Sequence, residues 1–148
     1  VSAGSVGRTV EKEVFVAVSP ERAFRAFTDK TELERWFAIE VEIDLRNGGH
    51  WHFQWTNDAA TGTFIEVDPP RRLVMEWHNA APLGNTICTI EFTPESDGTL
   101  IRLRDSGYGQ GDDWDAIYDG VNGGWGTALG DLKRWLEDGA TDGTFRTS

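Results

Sequence analysis

The chain has 148 residues, 39% of them hydrophobic and 11% aromatic, which is enough for one domain with a packed core and too short for two comfortable ones. A formal net charge of -11 and a sequence pI near 4.6 repel phosphate backbones and anionic lipid surfaces, so nucleic-acid binding and membrane-surface roles are disfavoured. No stretch approaches the roughly 18 to 20 apolar residues that span a bilayer, and Cys88, the single cysteine, has no partner for an internal disulfide, which fits a reducing, cytoplasmic setting.

Val1 to Gly7 reads as a disordered leader, residues 8–139 as one domain and residues 140–148 as a flexible tail. The first strand runs from about Thr9 to Val18 and stops at Ser19-Pro20-Glu21. Ser19 can cap orphan amides, Pro20 suits the first helical position, and Glu21 complements the positive end of the helix dipole. The short helix that follows buries Phe24 and Phe27. Thr31-Glu32-Leu33-Glu34 has capping-box spacing and predicts a second short helix with Leu33, Trp36 and Phe37 on its apolar side.

From Ile39 the period changes to two. Ile39, Val41, Ile43 and Leu45 alternate with Glu40, Glu42 and Asp44, the pattern of a half-buried strand. Asn47-Gly48-Gly49 turns the chain, and the next strand puts Trp51, Phe53 and Trp55 on one face against His50, His52 and Gln54 on the other. Gly62 to Val67 reads as a fourth strand, ended by Asp68-Pro69-Pro70. In the fifth, Leu73, Met75 and Trp77 alternate with Val74, Glu76 and His78. Thr86 to Phe92 and Thr99 to Asp105 form a hairpin that faces Cys88, Ile90 and Phe92 toward Ile101 and Leu103. Seven strands in sequential hairpins predict an antiparallel, meander-like sheet and an α+β fold.

The closing helix carries Trp125, Ala128, Leu129, Leu132, Trp135 and Leu136 in one stripe and stops at Gly139. Gly120, Gly123, Gly124, Gly126 and Gly130 each cost about 1 kcal/mol relative to alanine inside a helix. Either the helix starts late, or the glycines admit a close neighbour.

In this order, Ser19-Pro20-Glu21, Leu33, Trp36-Phe37, Gly48-Gly49, Glu66-Val67-Asp68-Pro69-Pro70, Leu73 and Gly124-Trp125 with Leu129 resemble the START-like, helix-grip superfamily (SRPBCC). Within it they resemble the heat-shock-protein ATPase activator homologue branch, over roughly residues 9 to 138. The resemblance implies a curved antiparallel sheet of about six to seven strands around a long C-terminal helix, two short helices after the first strand, and a deep hydrophobic cavity between sheet and helix. Relatives in the superfamily bind lipids, hormones or polyketides, cyclise aromatic polyketides, sequester antibiotics or assist a chaperone, so fold alone does not choose.

Seven tryptophans are hard to pack into a small core without leaving space. A ring-lined pocket for a small hydrophobic, aromatic or polyketide-like molecule is therefore the expected function, with indole N–H groups as its polar handles. The candidate lining is Trp36, Phe37, Trp51, Phe53, Trp55, Met75, Trp77, Tyr108, Trp114, Tyr118 and Trp125. Asp105 continues the inward parity of Ile101 and Leu103, where desolvation raises a carboxyl pKa unless an Arg or an indole donor pairs with it. It stands as Asp105-Ser106-Gly107 where the family often shows a histidine before Ser-Gly. Asp105 is the candidate catalytic residue, a general base that would work with Tyr108 or Tyr118 if the protein is a polyketide cyclase or aromatase. A chaperone-associated interaction module is a third reading.

His50 and His52 share a strand face that points away from the aromatic one, and no third ligand joins them in sequence, so no metal and no cofactor is expected. His78 also has outward parity. Asp112, Asp113 and Asp115 are placed to complement the dipole of the closing helix or to line the cavity entrance beside Trp114 and Tyr118. Edge strands leave monomer and homodimer both open.

Overall fold

A computed structural model describes residues 8–79, 84–109, 111–141 and 143–147; the leader expected at Val1 to Gly7 and the side chains of Asp112 and Asp113 lie outside the described residues. The strands are β1 (Arg8–Val16), β2 (Glu40–Ile43), β3 (His50–Gln54), β4 (Ala59–Asp68), β5 (Arg72–His78), β6 (Asn85–Glu95) and β7 (Gly98–Tyr108). The helices are α1 (Pro20–Thr28), α2 (Lys30–Trp36) and α3 (Asp112–Asp138). All strands join one antiparallel sheet in the order β1-β7-β6-β5-β4-β3-β2. From β2 to β7 this is the expected chain of hairpins. β1 departs from it by pairing with β7, so that α1 and α2 carry the chain from one edge of the sheet to the other.

The local signals act as their chemistry dictates, with one correction. Ser19 Oγ accepts from the Arg22 amide at 3.2 Å and caps α1. The cap of α2 is Asp29, not Thr31: its carboxylate accepts from the Glu32 amide at 3.1 Å, and a charged oxygen is the stronger acceptor for orphan amides. Glu34, expected as the reciprocal partner of Thr31, instead accepts from Lys30 Nζ at 2.7 Å and from the Val41 amide at 3.0 Å, which ties α2 to β2.

Strand parity holds from β2 onward, and Val41, Trp51, Phe53, Phe64, Leu73, Met75, Cys88, Ile90, Ile101 and Leu103 are all buried on the helix side. A bulge between Phe64 and Glu66 interrupts β4 and turns Ile65 outward, increasing the local bend of the strand. Gly62 is required in β4 because an added Cβ would lie 1.9 Å from the Glu76 carbonyl oxygen and 2.5 Å from Trp51 Cζ2.

The closing helix does not start late. α3 runs for 27 residues, through every glycine of the Gly120–Gly130 segment. Packing of the Trp125, Ala128, Leu129, Leu132 and Leu136 face outweighs weak local propensity. The glycines do not all admit a close neighbour either: at Gly120 and Gly123 an added Cβ would meet nothing within 4 Å. Gly123→Ala is therefore expected to stabilise the protein by about 0.5–1 kcal/mol, read as a higher urea midpoint at unchanged m-value.

The C-terminal segment is not free of the fold. The Phe145 amide donates to Asp131 Oδ2 at 2.9 Å, Thr56 Oγ1 donates to the Thr147 carbonyl at 3.0 Å, and the Phe145 ring stacks on Phe37 at 5.1 Å. Hydrogen bonds and a ring contact together hold a segment that composition alone marks as tail. The whole is a helix-grip arrangement, as the resemblance implies, with α3 held against the sheet and a space left beside it.

Candidate functional site

Between the sheet and the amino-terminal half of α3 lies a cavity of about 560 Å³. Its aromatic wall consists of Phe37, Trp55, Trp77, Trp125 and Phe145, its polar wall of Asp105, Tyr108, Thr86 and Asn79, and its rim includes Asn57, Asp58 and His78. Gly120, Val121 and Gly124 supply the α3 side, where missing or small side chains leave the volume open.

The rings are fixed against one another. Trp125 stacks on Phe37 at 5.8 Å and meets Trp77 edge-on at 6.2 Å, while Trp55 meets Phe37 edge-on at 5.4 Å. Such T-shaped and offset contacts are the favoured aromatic geometries. Trp55 Nε1 donates to the Phe37 carbonyl at 2.6 Å, whereas the buried Nε1 of Trp77 has no acceptor.

Asp105 is 3% exposed, as its parity predicts. Its Oδ2 accepts from Tyr108 Oη at 2.7 Å and from Trp125 Nε1 at 3.0 Å, and its Oδ1 has no partner among the described residues. Burial raises the carboxyl from its usual 3.8 to about 6, against the opposing pull of those two hydrogen bonds. Burial and the neighbouring Asp105 push the Tyr108 phenol far above its usual range, so it stays a donor at neutral pH. Cys88, directly across the β6–β7 ladder from Asp105, has its thiol pushed well up for the same two reasons and is inert as a nucleophile. Thr86 and Asn79 extend the polar wall, with Asn79 Nδ2 donating to Thr86 Oγ1 at 3.1 Å and to the Gly84 carbonyl at 2.9 Å.

Of the residues expected to line a pocket, Phe37, Trp55, Trp77, Tyr108 and Trp125 do so together with Asp105. Trp36, Trp51, Phe53 and Met75 do not reach this cavity. Trp36 and Trp51 are 0% and 1% exposed, and the space among Trp36, Phe53, Met75 and their neighbours amounts to only about 10 Å³, so these rings fill the core. Tyr118 does not line it: its hydroxyl donates to the Thr9 carbonyl at 3.2 Å and its ring lies under the Arg8 guanidinium. Trp114 lies over Gly109, where an added Cβ would come within 2.5 Å of the indole. Asp115 pairs with Arg8 at 3.0 Å rather than lining an entrance.

His78 sits on the rim despite its outward parity and contacts Glu76 Oε1 at 3.0 Å. His50 is exposed, and among the described residues no three His, Cys, Asp or Glu side chains gather as a metal site. Among the lining residues outside the expected set, Thr86 and Phe145 were missed for different reasons. Thr86 continues the inward parity of Cys88, Ile90 and Phe92 and was readable on that ground, whereas nothing in the sequence around Phe145 announces its place.

Residues 17–137 match the family described as Activator of Hsp90 ATPase homolog 1-like protein. Among solved structures, protein MLL2253 from Mesorhizobium loti is 25% identical with a TM-score of 0.78, over 87% of this chain and 96% of that one. CalU16 from Micromonospora echinospora is 26% identical with a TM-score of 0.74, over 88% and 76%. The Aha1 dimer from Colwellia psychrerythraea shares the fold, with 18% identity and a TM-score of 0.81 over 89% and 98%. No curated protein matches the chain. With a match that covers most of the strands and all three helices, the chain belongs to the Activator of Hsp90 ATPase homolog 1-like family.

Proposed function

We propose that this protein binds a small hydrophobic molecule, aromatic or polyketide-like, in the cavity between the sheet and α3. The observation that carries the reading is the cavity itself. Its volume of about 560 Å³ falls within the roughly 300–1,000 Å³ of small-molecule sites. Five aromatic rings wall it, and its buried polar atoms are few and incompletely paired. Flat ring faces favour a flat apolar occupant, and the orphan Trp77 Nε1 and Asp105 Oδ1 are handles that would orient it.

The test is a titration of intrinsic tryptophan fluorescence with polycyclic aromatic, polyketide-like and fatty-acyl compounds. Trp55, Trp77 and Trp125 line the space, so saturable quenching by an aromatic or polyketide-like class is the expected result. Silence from every compound would return the cavity to a packing defect.

One observation favours a second reading, catalysis of the cyclase or aromatase type in the same space. A buried carboxyl raised to about 6 with an unpaired oxygen can take a proton from an enclosed substrate near neutral pH. Turnover of a bound compound that survives Asp105→Asn at full rate would remove Asp105 from that role.

A further inference from the structure

Asp105 is a desolvated carboxyl whose hydrogen-bond partners, Tyr108 Oη and Trp125 Nε1, are both neutral donors. Among the described residues, the side chains that face it carry no cation: β6 presents Cys88, β1 presents Val10, β7 presents Tyr108 and α3 presents Trp125. Among the described residues lining the cavity there is no lysine and no arginine, while Asp58 adds a second carboxylate at the rim. Oδ1 of Asp105 has no donor among the described residues. A buried acceptor without a donor is destabilising, a cost that a ligand donor would relieve on binding.

Two further features bear on the charge of that donor. The cavity wall is built largely from aromatic rings, and the negative quadrupole of an indole or phenyl ring attracts a cation once water is excluded. Among the described residues that line the cavity, Trp77 Nε1 is the one buried donor left unpaired, and an anionic ligand would meet it alongside the charges of Asp105 and Asp58. The combination of aromatic rings, an incompletely paired carboxylate and no lining cation discriminates between ligands by charge.

We infer that the cavity takes an aromatic ligand bearing a protonated amine, which docks on the Asp105 carboxylate and among the aromatic rings, and that it rejects the corresponding carboxylic acid. This rests on the ligand-binding reading of the same cavity. At neutral pH the Asp105 carboxyl, raised to about 6, is mostly ionised and so available to the amine.

The test is calorimetric titration of the intact protein at neutral pH with three compounds that share one ring system: naphthylmethylamine, naphthylmethanol and naphthoate. A charge-assisted hydrogen bond is about twice as strong as a neutral one, so the amine is expected to bind about ten-fold tighter than the alcohol, and naphthoate more weakly than both. Asp105→Asn should abolish the preference, bringing the amine to within about three-fold of the alcohol measured on the same variant. That variant changes the overall charge of -11 by only one, so general steering by an acidic protein would survive it.

Alcohol and amine of equal affinity, naphthoate equal to or tighter than the amine, or an amine preference that persists in Asp105→Asn would each overturn the inference while leaving ligand binding intact. Failure of all three compounds and of the wider aromatic panel would overturn both. Should Asp105→Asn not fold, the ranking of the three compounds on the wild-type protein still decides.

Discussion

Replacing Trp36 with alanine is expected to cost about 3–5 kcal/mol of folding stability. The side chain is fully buried, and its ring meets Phe27 edge-on at 5.2 Å and Phe37 at 5.1 Å. Its Nε1 donates to the Ala26 carbonyl at 2.9 Å. Ala26 lies in the last turn of α1, where carbonyls lack partners within the helix, so this one side chain fills the core between α1 and α2 and completes the end of α1. Trp36→Phe keeps most of the ring volume and loses the hydrogen bond, which should cost about 1–3 kcal/mol. Urea unfolding of both variants checks this. A Trp36→Ala loss below about 1 kcal/mol would mean that the core closes over the gap and that the ring is not structural.

Asp105→Asn is expected to remove a large part of the pH dependence of stability between the usual carboxyl value of 3.8 and the folded value of about 6. In that window the folded protein holds a proton on Asp105 that the unfolded chain has released. Stability from this group is therefore greatest below 3.8 and is lost as pH rises through about 6, by roughly 3 kcal/mol in all. Glu34 and Glu137 act in the opposite sense. Hydrogen bonds from Lys30 and Lys133 hold their carboxyls below the usual range, so their contribution appears as pH rises. Because both carboxylates are present in both proteins, the difference between wild type and Asp105→Asn isolates Asp105. The variant's amide oxygen can still accept from Tyr108 and Trp125. Urea midpoints measured from acid to neutral pH should show the wild type losing stability relative to the variant as pH rises. Parallel curves would show that Asp105 titrates normally, and hence that its burial is not as deep as its 3% exposure indicates.

Much of the fold was readable because it is written in local chemistry. Alternation of Val41, Trp51, Phe53, Leu73, Met75, Cys88, Ile90, Ile101 and Leu103 fixes which face of the sheet is buried, and Ser19 and Gly139 mark helix ends through side-chain capping and a left-handed φ of 75°. The pairing of β1 with β7 is not local: its registered residues stand 83 to 100 positions apart, and no periodicity within either strand records the partner. The start of α3 was obscured because glycines signal a weak helix while the packing that overrides them lies in another layer.

The candidate site divides along the same line. Parity placed Asp105 and Trp77 on the inner face, and both line the cavity. Parity also grouped Trp51, Phe53 and Met75 with them. The face of a strand does not say how far along it α2 and its neighbours fill the space, and these three side chains lie in the filled part. Phe145 is the opposite case. It is an isolated ring in a stretch of Gly, Thr and Asp, yet it closes one wall by stacking on Phe37 and meeting Trp55 at 5.9 Å.

The central claim is that the space beside α3 is a binding site, and Gly124 offers the most direct access to it. Gly124 lines the cavity, and an added Cβ would meet only Phe145, at an ordinary 3.5 Å, so Gly124→Leu should occupy the cavity while favouring the helix. Titration of wild type and Gly124→Leu with naphthylmethanol, each first shown to unfold cooperatively in urea, separates the cases. Saturable binding to the wild type and a loss of at least about ten-fold in the variant is the predicted result; equal affinity in the two proteins would place the ligand elsewhere and contradict the account.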